Sequence, residues 1–323
     1  MTTQQPFEHK PVMVDRIVDL LGAVPSGTVV DATVGGAGHA RAVLDAHPHL
    51  RVAGLDRDPD AVSVATERLA PYGERASVTH VRFDRLADTV RALGLDEVSG
   101  VLFDLGVSSP QLDRGERGFS HRFEADLDMR MDPTTGPTAA DVVNGYDEAE
   151  LARVLRELGD ERYATRIARA IVANRPITTT TQLAEVVRDA IPAPARRRGG
   201  HPARRSFQAV RIEVNAELEV LPGALDQAIE LLAPGGRCAV LAYHSGEDRI
   251  VKERFRTAST GGCTCPPGLP CHCGATPVVR LLKRGAWKPS PEEIAANPRA
   301  ESARLRAVEK LGEPARRLEA EVA

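Results

Sequence analysis

The sequence lacks the features that mark membrane-spanning, secreted and disulfide-framed proteins. No apolar run approaches the ~18 residues of a membrane helix. The first residues, Met-Thr-Thr-Gln-Gln-Pro, do not form a secretory signal. The 323 residues include five cysteines, too few for a disulfide framework in a reducing compartment. We therefore predict a cytoplasmic protein that has no membrane partner.

A strong excess of positive charge is also absent. The formal net charge is −3, and the 42% hydrophobic and 27% charged residues are ordinary for a globular protein. Because the whole molecule is not a polycation, any contact with nucleic acid must come from a local basic patch. The length allows one large domain, or a domain that carries an insertion.

Two nucleotide-binding motifs are missing as well. The sequence contains no G-x-x-x-x-G-K-[ST] segment, which argues against a P-loop nucleoside triphosphatase. The turn Gly36-Ala37-Gly38 is followed by His39, and the third glycine of a dinucleotide fingerprint is absent. The turn alone is weak evidence, because many such turns are plain strand-to-helix connections.

What the sequence does contain is an alternation of strands and helices. Short apolar runs predict buried strands at residues 29–33, 51–56, 78–83, 101–105 and 237–243. Helical patterns between them predict a parallel sheet with right-handed crossovers. The second strand ends at Asp56, where a carboxylate can accept both hydroxyls of a ribose, and the fourth delivers Asp104 to the same crevice. A glycine turn without a pyrophosphate site, beside a ribose acid, favours S-adenosylmethionine over NAD.

An insertion interrupts this alternation. Apolar spacing predicts helices at residues 151–158 (ending at Gly159), 161–173 and 181–191, and a long helix from Phe207 to Leu221. We therefore assign residues 1–112 and 206–323 to the core and residues 113–205 to a helical insertion.

Two basic segments of the insertion are candidates for contact with phosphates. Residues 196–205 contain five arginines and predict a mobile loop, because such a run has no use in a core. Arg162, Arg166 and Arg169 share one helix face, although such a face is also typical of a merely solvated surface. Arg117 and Arg130 offer an alternative recognition surface.

Several longer segments occur in a specific order. They are 31–39 DATVGGAGH, 55–59 LDRDP, 103–112 FDLGVSSPQL, 117–120 RGFS, 127–133 LDMRMDP, 159–164 GDERYA, 207–218 FQAVRIEVNAEL and 244–249 HSGEDR. Over roughly residues 7–310 this ordered set resembles the MraW/RsmH family. Those bacterial enzymes methylate N4 of a cytidine in the decoding centre of 16S rRNA. Gly246 departs from the family pattern, which has leucine there.

The resemblance implies a fold, a cofactor and its contacts. The expected fold is α/β, a Rossmann-like class I methyltransferase sheet interrupted by a helical insertion that recognises RNA. The cofactor is S-adenosylmethionine, and the partner is 16S rRNA in the small ribosomal subunit, with a homodimer as an open possibility. The expected cofactor contacts are Gly36, Ala37, Gly38, His39, Asp56, Phe83, Asp104 and Gln111. From its spacing, Phe83 could instead be a plain core residue.

Methyl transfer from a sulfonium is an in-line displacement, so the enzyme mainly supplies alignment. We assign the orientation of the cytosine N4 and the removal of its proton to Asp104 and Ser109, with His244 and Asn215 nearby. A structural strand-end histidine and a helix-capping asparagine are the alternatives for the last two. The functional alternatives are an amino-methyltransferase of DNA or another RNA, and a non-catalytic RNA-binding assembly factor.

Four cysteines form two closely spaced C-x-C pairs, Cys263/Cys265 and Cys271/Cys273. Four thiolates on one turn could hold a structural zinc ion. The spacing is tighter than in common zinc ribbons, and the cluster is not part of the family motifs. A loop of reduced thiols is the competing interpretation, and no metal is assigned from the sequence.

Overall fold

The computed structural model describes residues 11–196, 201–266 and 272–312, without the side chains of Ser109 and Pro110. Its contacts divide the chain into two compact units. The first contains the described residues up to Leu105 and from Leu221 onward, and the second runs from Gly106 to Val220. The insertion expected from the sequence, residues 113–205, lies inside the second unit, and its role as a recognition domain stays a prediction.

The first unit contains one sheet. Its strands in the described part of the chain are β1 (Gly27–Asp31), β2 (Leu50–Asp56), β3 (Ala76–His80), β4 (Val98–Asp104), β5 (Leu232–Ala242), β6 (Val279–Leu281) and β7 (Arg304–Lys310). The order is β3-β2-β1-β4-β5-β7-β6. Strands β1 to β5 pair in parallel, and β7 is antiparallel to both β5 and β6. This is the Rossmann-like sheet of class I methyltransferases, so the predicted fold class is confirmed.

Fourteen α-helices are described along the chain. They are α1 (Val14–Gly22), α2 (Gly38–Ala46), α3 (Pro59–Leu69), α4 (Leu86–Ala92), α5 (Ser109–Asp113), α6 (Ala139–Gly145), α7 (Glu148–Gly159), α8 (Ala164–Ala173), α9 (Thr180–Ala190), α10 (Ala193–Arg196), α11 (Arg204–Asn215), α12 (Glu217–Leu231), α13 (Ser245–Thr260) and α14 (Pro291–Ala296). None of the helices in the described ranges is long and apolar enough to span a membrane.

The central strands of the sheet are buried on both faces. Successive residues of a strand point to opposite faces, and Val29 and Val30 accordingly join two different apolar clusters, one on each face. Leu102 and Phe103 in β4 divide in the same way. Because these strands are buried on both faces, their sequences are continuous apolar runs without alternating polar residues.

The second unit buries a separate helical core. Helices α7, α8, α9 and α11 pack together through apolar stripes that include Leu155, Ile167, Val187 and Val210. Gly159 lets α11 come close, because a Cβ there would lie 2.7 Å from the carbonyl oxygen of Arg205.

Helix α7 ends at Gly159, as predicted, and Asp160 after it adopts the left-handed conformation, at φ 49°. Other sequence-predicted boundaries in this unit are wrong. The helix predicted to begin at Glu161 begins at Ala164. The helix predicted to run unbroken to Leu221 ends at Asn215, because Ala216 has a φ of 52° and α12 starts after it.

The predicted basic loop is also wrong at both ends. Arg196 belongs to α10 and donates from Nε to the carbonyl of Ile191 over 2.6 Å. Arg204 and Arg205 open α11 and are exposed, directly after the buried Ala203. The buried Ala203 therefore packs near the end of residues 196–205, which composition alone predicts to be a mobile loop. Arg197 and Arg198 lie outside the described residues.

Candidate functional site

Three aspartates lie at the ends of three adjacent strands. Asp31 ends β1, Asp56 ends β2 and Asp104 ends β4. Strand β1 lies between β2 and β4, and all three run parallel, so these residues share the carboxyl edge of the sheet. Open α/β sheets bind their ligands at this edge.

The glycine loop after β1 is tied to Asp56 through backbone hydrogen bonds. The N–H of Gly35 donates to Oδ2 of Asp56 over 2.8 Å, and the N–H of Asp58 donates to Oδ1 over 2.9 Å. Gly35 and Ala37 have φ values of 50° and 60°, so the loop turns sharply into α2. The first amides of a helix have no partner within the helix and can receive an anionic group.

The other members of the predicted loop have defined positions. The carbonyl of Gly36 accepts a hydrogen bond from Nη1 of Arg68 at 2.8 Å. The N–H of Ala37 donates to the carbonyl of Val34 over 2.7 Å, so this amide already has a partner. A Cβ at Gly38 would lie 2.4 Å from Cγ of Pro11, so close packing requires glycine there.

Asp104 is the centre of a hydrogen-bond network. Its N–H donates to Oγ1 of Thr33 over 2.7 Å, and its Oδ1 accepts the hydroxyl of Tyr243 at 2.7 Å. Nδ1 of His39 lies 3.5 Å from Oδ2 of Asp104. Nε2 of His39 lies 2.9 Å from the carbonyl of Val12, and because a carbonyl only accepts, Nε2 carries the proton. The structure thus brings together His39 and Asp104, two of the expected cofactor contacts, and their contact with the cofactor stays a prediction.

The pKa values of these groups reflect their burial. Burial raises the pKa of Asp31 from 3.8 to about 8, with smaller contributions from the carboxyl groups of Asp104 and Asp56, against the lowering effect of the Thr33 N–H. Burial also raises the pKa of Asp56, opposed by the N–H groups of Asp58 and Gly35. The pKa of the Tyr243 hydroxyl is raised by burial and then by the neighbouring Asp104. Negative charge is therefore costly at this edge, and a cationic ligand would relieve that cost.

Phe83 lies beyond β3, not at its end. The strand ends at His80, and Phe83 opens a single 3₁₀ turn, Phe83–Arg85. Its half-buried ring packs edge-on against Phe103, with the ring centroids 5.7 Å apart. The predicted strand at 78–83 is thus too long, while a role for Phe83 as a cover for the adenine stays a prediction.

His244 follows β5 and lies beside a buried acid. Glu247 is 2% exposed, and its Oε2 accepts the N–H of Tyr243 at 2.8 Å and that of His244 at 3.3 Å. Nε2 of His244 lies 3.2 Å from Oε1 of Glu247 without an aligned hydrogen bond. Among the described residues this ring nitrogen is buried and has no hydrogen-bond partner, which makes it the candidate for a ligand contact.

The remaining predicted residues belong to the second unit. Gln111 is buried, and its Oε1 accepts the N–H of Ser108 at 2.9 Å at the start of α5. Ser109 lies in the first turn of α5, but its side chain lies outside the described residues.

Asn215 is buried and clamps a neighbouring segment of the second unit. Its Nδ2 donates to the carbonyls of Met129 at 2.8 Å and of Arg211 at 2.9 Å. Its Oδ1 accepts the N–H of Met131 at 2.9 Å. Because both amide hydrogens are used within the unit, the geometry favours the structural alternative over direct contact with substrate.

The two alternative recognition arginines also make contacts within this unit. Nη2 of Arg117 donates to the carbonyls of Arg130 and Met131, at 3.1 and 2.9 Å. The guanidinium of Arg130 pairs with Asp128, at 2.7 Å between Nη2 and Oδ2.

Four residues of the first unit were missed by sequence reasoning. They are Asp31, Thr33, Tyr243 and Glu247. The position of Asp31 at the end of an apolar run was a usable signal, the same one that selected Asp104. Glu247, three residues after His244 at a helix start, matches the spacing of a capping box. Tyr243 gave no signal, since a strand-end tyrosine is equally typical of a core.

Comparison with known proteins decides the family. The model of the MraW methylase family matches residues 6–311. The chain belongs to the MraW methylase family. The resemblance predicted from the sequence is thereby confirmed, and the match extends across both units.

Two relatives with the same name are similar to this chain over most of its length. Ribosomal RNA small subunit methyltransferase H of Thermobifida fusca is 53% identical over 313 residues, which cover 95% of this chain and 94% of that protein. The protein of the same name from Acidothermus cellulolyticus is 55% identical over 310 residues, covering 94% of each chain.

Two solved structures that align with most of this chain are far more distant in sequence. An rRNA methylase from Streptococcus thermophilus is 12% identical, with a TM-score of 0.43, over 95% of this chain and 100% of that chain. A methyltransferase from Streptococcus mutans in complex with SAH is also 12% identical, with a TM-score of 0.42, over 95% and 100%.

The raised pKa of Asp31 predicts a pH dependence of stability. The folded protein keeps a proton that the unfolded chain releases near pH 4, so stability falls as the pH rises from about 4 to 8. Over that window Asp31 should lower the free energy of unfolding by at most one proton's worth per pH unit, on the order of 1 kcal/mol. Asp31→Asn should remove this component, as measured by urea unfolding at pH 5, 6, 7 and 8. Parallel curves for the two proteins would contradict the assignment.

Proposed function

We propose that this protein transfers a methyl group from S-adenosylmethionine to N4 of a cytidine in the decoding centre of 16S rRNA. The observation that carries the proposal is the carboxyl edge formed by Asp31, Asp56 and Asp104, in a chain of the MraW methylase family. Relatives named ribosomal RNA small subunit methyltransferase H, more than 50% identical, support the substrate class. A cytoplasmic location and a homodimer stay predictions.

The residues present fit this cofactor. S-adenosylmethionine carries a sulfonium and an ammonium group. The buried Asp31 and the half-buried Asp56 and Asp104 suit such a cation, because the raised pKa values of Asp31 and Asp56 show that negative charge is costly there. Asp56 accepts two backbone N–H groups, and a carboxylate has about four acceptor positions, so ribose hydroxyls can use the others. The first amides of α2 suit the methionine carboxylate.

The cofactor supplies a methyl group on a positively charged sulfur, and the protein supplies alignment. Asp104 would hold the amino group of the cofactor's methionine part. The hydroxyl of Tyr243 and Oγ1 of Thr33 fix the orientation of Asp104. His244 offers Nε2 as a contact for the exocyclic amine of the base, and Glu247 fixes the backbone of His244 by accepting its N–H. Ser109 stays a candidate for accepting an N4–H, and Asn215 acts as a positioning residue.

The substrate assignment can be tested on rRNA. A strain without this gene should lack N4-methylcytidine in its 16S rRNA by mass spectrometry, and the wild-type chain should restore it. Purified protein should methylate assembled small subunits and not naked DNA. Unchanged N4-methylcytidine would remove the assignment, and methylation of DNA would favour the alternative amino-methyltransferase. Failure to bind the cofactor in calorimetry would favour a non-catalytic assembly factor.

The ribose contact predicts the effect of Asp56→Ala on cofactor binding. Loss of a charge-assisted hydrogen bond costs about 1.5–3 kcal/mol, so the dissociation constant should rise roughly 10- to 150-fold in calorimetry. Asp60→Ala is the matched control, because this exposed residue in the first turn of α3 carries the same charge. Equal affinities for the two variants would reject the ribose contact.

The exposed arginines at the start of α11 predict a salt effect on subunit binding. Each lost phosphate contact flattens the slope of log affinity against log salt by about 0.7–0.9. Joint Arg204→Ala and Arg205→Ala should therefore reduce the slope by about one to two units and leave cofactor affinity intact. Arg166→Ala with Arg169→Ala is the comparison variant, because it removes the same charge. Its Arg169 already pairs with Glu148 at 3.2 Å. An unchanged slope in the first variant would place recognition elsewhere.

A further inference from the structure

Three cysteines outside the candidate site come together in the first unit. The Sγ atoms of Cys263, Cys265 and Cys273 all lie within 4.8 Å of one another. Cys273 follows the C-x-C pair by eight residues in the sequence, so the chain must fold back to bring its sulfur to the other two. The sequence pattern alone assigned no metal and left a loop of reduced thiols as the competing interpretation.

The base of this turn is closed by backbone contacts. Gly261 has a φ of 63°, and a Cβ there would lie 2.4 Å from the N atom of Thr276, so the two arms of the turn touch. The N–H of Val278 donates to the carbonyl of Ala258 over 3.0 Å. These contacts join the end of α13 to the start of β6 and fix the distance between the arms.

The turn has no apolar core of its own. None of the described residues in 261–266 and 272–277 is buried. A segment that buries no apolar side chains gains little from the hydrophobic effect, and a bound metal is one of the devices that order such segments.

The chemistry of the cluster points to a thiophilic ion. Thiolate sulfurs bind Zn²⁺ at about 2.3 Å in a tetrahedron, which separates neighbouring sulfurs by about 3.8 Å. Sulfurs within 4.8 Å of one another need to move by about an ångström or less to reach that spacing. We propose that Cys263, Cys265 and Cys273 bind a structural Zn²⁺ ion. Cys271 lies outside the described residues, so the site is stated on three ligands.

The proposed ion is structural because the cluster is remote from the carboxyl edge. Helix α13 has 16 residues and separates His244 from the cysteine turn, which corresponds to about 24 Å of helix. The ion would fix the connection between α13 and β6 and would not touch the reacting groups.

Cys238 provides an internal control. It is fully buried in β5, and burial raises the pKa of its thiol far above the ordinary range. Its sulfur therefore stays protonated, whereas a zinc ligand must be a thiolate. Metal binding should depend on the cysteines of the turn and be independent of Cys238.

Metal analysis of the purified full-length chain tests the proposal. Inductively coupled plasma mass spectrometry should find about one zinc per chain in the wild type and in Cys238→Ala. Cys263→Ser and Cys273→Ser should each lose most of it. A wild-type chain that holds no zinc after purification and after addition of Zn²⁺, or that holds iron or copper instead, would overturn the proposal.

A second measurement on the wild-type chain needs no substitution. Replacement of the metal by Co²⁺ should give the sulfur-to-cobalt charge-transfer absorption and the intense visible bands of a tetrahedral thiolate site. Removal of the metal by a chelator should lower the melting temperature, and methyl transfer well below that temperature should be retained. Absence of charge-transfer bands, or a disulfide among these cysteines in the purified protein, would overturn the proposal.

Discussion

The burial of Asp31 between Asp56 and Asp104 is the constraint around which the carboxyl edge is built. A carboxyl group that is 3% exposed loses its hydration, and at low dielectric its repulsion from neighbouring acids increases. The fold compensates with backbone donors: Thr33 N–H on Asp31, and Gly35 and Asp58 N–H on Asp56. The loop conformation and the charge state of the edge are therefore coupled, because the amides that shape the glycine turn also stabilise the acids.

A related arrangement holds the end of β5. Glu247 accepts the N–H of Tyr243, which contacts Asp104, and the N–H of His244, which is the candidate substrate contact. One buried carboxylate therefore fixes the backbone of both residues. Further along the sheet, Arg306 of β7 forms a two-point pair with Asp248 of α13, at 2.8 and 3.0 Å. Helix α13 therefore holds the end of β5 through Glu247 and β7 through the next residue, Asp248.

The sequence predicted well what apolar burial determines and poorly what long-range packing determines. The strands ending at Asp56 and Asp104 follow from continuous apolar runs, because burial on both faces leaves a direct pattern. The sequence could not predict that the single helix expected here breaks at Ala216. Alanine is a strong helix former, and nothing in the sequence indicates its left-handed φ of 52°. Asn215 was selected by family motif, but only the structure shows that its amide clamps residues 129–131.

The substitution at Gly246 illustrates how the structure resolves a departure from the family pattern. Glycine lowers helix stability by up to about 1 kcal/mol, so a glycine in place of leucine disfavours a helix after β5. Yet α13 begins at Ser245 and includes Gly246 as a buried residue of its first turn. The amides just before the helix are satisfied by Glu247, which offsets the weak propensity of residue 246. The position of His244 therefore depends on the carboxylate three residues later rather than on an apolar side chain at position 246.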